Sequence, residues 1–135
     1  MSQFTDAKGK AWTLDINVDS VDEVYKQTNV SIPLLFDDSA KPMAELLGNL
    51  PVFAHVCYIL AEAQAAGVSQ KDFARSIKGD SIEAMTTAFL KELTLFFPDA
   101  RRRAAIDKMT SIWKLMESKA MVMAEAELAK IDQQQ

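Results

Sequence analysis

Glycine and proline are absent from everything after Pro98, and that constrains the fold more than any other feature of this 135-residue chain. From Asp99 to Gln135 nothing breaks a helix, and Asp99 itself can cap one. The apolar positions Ile106, Met109, Trp113, Met116, Ala120 and Met123 advance by alternating steps of three and four. On a continuous helix that spacing gathers them into one narrow seam of the kind that packs against another helix. Four of the seven methionines (Met109, Met116, Met121, Met123) lie in this stretch. An unbranched, polarisable thioether suits a surface that must adapt to its partner. Beyond the seam, Glu127, Lys130 and Gln133 to Gln135 make the end polar. The inner half of the stretch is expected to pack on the body of the protein and the outer half to stand free or meet a partner.

The opening residues follow a different rhythm. Phe4-Thr5-Asp6, a turn at Ala7-Lys8-Gly9-Lys10 and the run Ala11 to Val18 have the form strand, turn, strand. In the second strand Trp12, Leu14, Ile16 and Val18 alternate with Thr13, Asp15 and Asn17, the period of two that leaves one face covered. Gly9 supplies the positive φ of a tight reversal. A lone hairpin is barely stable in water, so it must pack on helices or pair with another chain, with Trp12 as its anchor.

Helix signals fill the middle. Ser20 with Glu23 fits a capping box, followed by Val21, Val24 and Tyr25. Ile32 to Phe36 reads as an apolar connector held out of a regular helix by Pro33, and Pro42 suits the first turn of a short helix through Leu47. Pro51 opens an apolar helix predicted to run to Gly67 as the central core element. Ser69 with Asp72 opens a helix ending at Gly79. Asp80 with Glu83 opens the one that carries Ile82, Met85, Phe89, Leu93 and Phe96. The expectation is one mainly α domain, a helical bundle with a small N-terminal β-hairpin and a long C-terminal helix. Residues 1–18 form the hairpin, 19–98 the helical core and 99–135 the terminal helix, which has room to project.

Few residues invite chemistry. His55 is the single histidine, which excludes His-based metal clusters, and it stands two positions from Cys57, a spacing that points the two side chains apart on a helix. Cys57, the single cysteine, excludes an internal disulfide and lies in an apolar run that buries a small thiol. Asp37-Asp38 lacks the further oxygen ligands of a calcium site and reads as a solvated turn. No phosphate-binding loop, dinucleotide fingerprint, nucleophile elbow or zincin helix occurs. No catalytic residue, cofactor or metal is expected. The net charge of -4 opposes general nucleic-acid binding. Arg101-Arg102-Arg103 is the one basic run; it reads first as a solvated turn and second as a contact for an acidic partner. The N-terminus lacks a signal peptide's basic and apolar regions, and the run Pro51 to Ala61 is too short to span a bilayer, so a cytoplasmic protein without membrane contact is expected.

Phe4-Thr5-Asp6, Gly9, Trp12 to Val18 and Ser20-Val21, followed by Phe89-Leu90-Lys91-Glu92-Leu93 and Phe96-Phe97-Pro98, resemble the tail assembly chaperones of tailed phages and prophages. The resemblance runs from Phe4 to about Lys130. It implies a mostly helical, non-catalytic protein of the host cell cytoplasm. Such a protein binds the long apolar tape-measure protein, keeps it soluble, recruits tail tube subunits around it and is not retained in the finished virion. Members often exist as a short form and a frameshifted long form, and this chain would match the short one. A homo-oligomer is expected, because an adaptable apolar patch left without its client favours self-association. The partner-binding surface is then expected at Met109, Trp113, Met116, Ala120 and Met123, with Arg101, Arg102 and Arg103 beside it. The leading alternative is a structural head-tail connector or tail completion protein of the virion, and a nucleic-acid-binding regulatory dimer or an enzyme ranks below it.

Overall fold

The computed structural model describes residues 2–97 and, beyond them, Arg103, Ala104 and Asp107. Strands β1 (Ser2–Thr5) and β2 (Ala11–Leu14) pair antiparallel with Phe4 opposite Trp12. Alternation sends Phe4, Trp12 and Leu14 to the same side, where all three are buried. Five α-helices follow the hairpin, so the described chain is mainly α as expected.

One carboxylate organises the hairpin loop. Asp6 Oδ1 accepts the backbone N–H groups of Lys8 and Lys10, both at 2.9 Å, and Oδ2 accepts the Trp12 indole N–H at 2.9 Å. Gly9 completes the reversal with φ +85°. Burial pushes the Asp6 carboxyl up, but the Trp12 indole, the Lys10 and Lys8 amides and Ser76 together outweigh it and hold it below the ordinary carboxylate value. Ala7 N–H also reaches across to the Ser76 carbonyl at 2.8 Å. The loop is thereby bonded to the helical body at Ser76.

β2 stops at Leu14, four residues short of the sequence reading. Ile16 still points into the core, whereas Val18 is 80% exposed as the first residue of α1 (Val18–Thr28). The reason is Asn17. Its side chain accepts the Ser20 N–H and the Ser20 hydroxyl accepts the Asn17 N–H, each at 2.9 Å, so the capping box is Asn17–Ser20 and not Ser20–Glu23. The box locks Asn17 at the helix entrance and ends the strand. Val24 carries the buried stripe of α1, Val21 is half-buried and Tyr25 is exposed. Asn29 closes the helix at φ +62°.

A 3-10 turn at Ile32–Leu34 leads to α2 (Asp37–Gly48). The first turn of α2 is irregular: Asp38 and Ala40 have φ of +51° and +64°, and the Met43 N–H bonds to the Leu35 carbonyl instead of one four residues back. The regular right-handed run starts after Ala40, which leaves Pro42 near its beginning as expected. α3 (Leu50–Leu60) follows at a bend of 100° and is the central core helix, with Phe53, Val56, Cys57 and Leu60 buried. It ends seven residues before Gly67. Glu62 takes φ +51° and the chain winds through turns pinned by Tyr58 Oη, which donates to the Val68 carbonyl at 2.7 Å.

α4 (Gln70–Arg75) opens as expected, with Ser69 Oγ accepting the Asp72 N–H at 3.1 Å, but stops four residues before Gly79. There Ser76 Oγ turns back onto the Phe73 carbonyl at 2.6 Å. α5 (Asp80–Phe96) is capped at Gly79, so Asp80 lies inside the helix; the side chain that ties its entrance is Ser81, whose hydroxyl accepts from Lys78 N–H at 2.8 Å and donates to Lys78 O at 2.6 Å. Met85, Phe89 and Leu93 form its buried stripe and β1 packs along it. Phe73 joins the layers, edge-on to Trp12 (5.4 Å between ring centres), Tyr58 (5.5 Å) and Phe4 (6.4 Å). Among the described residues no single helix is long and apolar enough to cross a membrane. Of the terminal helix expected over 99–135, Arg103, Ala104 and Asp107 are described and helical, and the rest lies outside the described residues.

Two stability predictions follow from this geometry. Replacing Asp6→Ala strands three donors, one of them on a buried indole, and should cost about 3 kcal/mol in urea unfolding. Asp6→Asn should cost less, and its deficit should shrink as pH falls. A carboxyl held below its unfolded value of 3.8 stabilises fully above that pH and loses the contribution as pH drops through the folded value. Glu62→Gly removes a side chain from a left-handed, exposed position and should raise stability by up to about 1 kcal/mol, read by thermal unfolding.

Candidate functional site

An open apolar cleft of about 450 Å³ lies where the 3-10 turn meets α2 and α3. Val30, Leu34, Leu35, Pro42, Leu46 and Val52 supply its apolar wall, and Glu45 is the single charged side chain among its lining residues. Local geometry makes the wall. In a 3-10 turn, side chains three apart eclipse, so Ile32 and Leu35 both face the core, 0% and 1% exposed, and Leu34 is left 52% exposed at the mouth. Pro33 fixes the φ that starts this turn. Leu50, the first residue of α3 and two positions before Val52, is 39% exposed. The arrangement offers shape and apolar area, with no converging set of nucleophile, base and electrophile.

His55 lies on another face. Its Nε2 is 3.2 Å from Gln27 Oε1, and Gln27 Nε2 in turn donates to Glu23 Oε2 at 3.1 Å, which links α3 to α1. Half-burial disfavours the imidazolium and lowers the His55 pKa. Cys57 is wholly buried, and burial pushes its thiol far up, so at neutral pH it is a protonated core side chain. The two therefore form no nucleophilic pair. Glu23, Gln27, Tyr58, Ile59 and Glu62 border a second shallow groove of about 440 Å³ beside this link. Asp37 and Asp38 are both exposed, and among the described residues no group of three or more His, Cys, Asp or Glu is placed to hold a metal ion.

Of the side chains singled out in the sequence for partner binding, Arg103 is described. It is exposed and helical, and its Nε donates to the Phe97 carbonyl at 3.3 Å. Phe97 is the C-terminal cap of α5, where a cation complements the helix dipole. The basic run thus has one intramolecular role that sequence reasoning did not supply. Phe97 also packs edge-on against Phe36 at 6.1 Å, beside the cleft's own Leu34 and Leu35. Arg101, Arg102, Met109, Trp113, Met116, Ala120 and Met123 lie outside the described residues. The sequence presents Ile32 to Phe36 as a connector and does not show the cleft. Its signal was the three-residue step from Ile32 to Leu35, which sets Leu34 apart.

Comparison with known protein families, curated proteins and solved structures finds no match to this chain.

His55 provides a check on the α1–α3 link. With the folded pKa lowered from 6.5, stability is complete above that pH and falls as pH drops from 6.5 through the folded value. His55→Gln should flatten that part of the pH profile of the unfolding midpoint while leaving the midpoint at pH 8 little changed.

Proposed function

We propose that this chain is a non-catalytic tail assembly chaperone of the tailed-phage and prophage type. It binds the tape-measure protein, keeps it soluble and recruits tail tube subunits around it in the host cytoplasm. The observation that carries the reading is the apolar cleft with Leu34 half-exposed at its mouth. An apolar wall with one charge suits the apolar face of a client helix, which docks through side chains spaced three and four apart. A leucine half-exposed at the mouth of a cleft buries further apolar area when a partner docks there.

The methionine seam from Ile106 to Met123 supports the same reading from the sequence. A client that is long, helical and apolar needs more contact than one cleft offers, and Met109, Trp113, Met116, Ala120 and Met123 form the second part of the client surface, with Arg101, Arg102 and Arg103 beside it. Without client, the same apolar surfaces favour a homo-oligomer.

Co-expression with the tape-measure protein encoded beside it, followed by size-exclusion chromatography with light scattering, tests the proposal. The tape-measure protein should be soluble only with this chain, and the two should co-elute. A chain that ignores the tape measure but copurifies with intact virions is a head-tail connector or tail completion protein, and the chaperone reading falls. Leu34→Lys changes a side chain already half in water, so helix content should persist by circular dichroism while client affinity drops about tenfold or more. Met116→Glu with Met123→Glu should do the same. Retention of full client solubilisation by these folded variants removes the corresponding surface from the proposal.

A further inference from the structure

No further inference is drawn: the strongest candidate, the apolar cleft between the 3-10 turn and helices α2 and α3, belongs to the site already described, and nothing in the structure shows which further helix covers it.

Discussion

The Asp6 carboxylate is the interaction on which the hairpin depends, and through the hairpin the rest of the packing. Two four-residue strands cannot hold themselves together in water. Asp6 closes their loop by accepting two backbone amides with one oxygen and orients the Trp12 indole with the other. Trp12 is then presented to Phe73, and Phe73 to Tyr58, so one buried acid sets the angle at which the hairpin meets α4 and α3. A buried acid is tolerable because both of its oxygens are occupied by hydrogen bonds that favour the charged form.

Much of this body was legible in the sequence because its local and global preferences agree. The period-two run placed Trp12 and Leu14 on the covered face, Gly9 marked the reversal, Ser69 marked the start of α4, and Met85, Phe89 and Leu93 gave the stripe of α5. The errors lie where two short-range signals competed. Val18 continues the strand alternation but also starts a helix, and the reciprocal Asn17–Ser20 bonds decide for the helix. Ser20, read as a cap, is instead the third helical residue. The early ends of α3 and α4 have another origin. Glu62 occupies a left-handed conformation without being glycine, and Ser76 ends its helix by folding onto the Phe73 carbonyl. Neither carries a composition signal, because glutamate seldom marks a left-handed turn and the serine back-bond is a choice of rotamer.

The candidate site divides the same way. The expected seam rests on a long stretch without breakers, whose periodicity is plain in the sequence but which lies outside the described residues. The cleft was not plain there, because its walls come from three successive elements that face one another only when α2 bends into α3 at 100°. Arg103 combines both cases. Its charge was evident, but its place at the end of α5 follows from the position of the Phe97 carbonyl.

The bond from Ala7 N–H to the Ser76 carbonyl, together with the packing of β1 along α5, carries a consequence for the order in which the chain assembles. The first strand has its main helical support in residues 80–96, near the other end of the described body. Closing so long a loop costs entropy before any contact repays it. On a growing chain, α1 to α3 can already collapse on one another with β2 against α3, while β1 still lacks α5, its main helical support. The first strand is therefore earliest in the sequence and last into place, and the core closes only when α5 has been made.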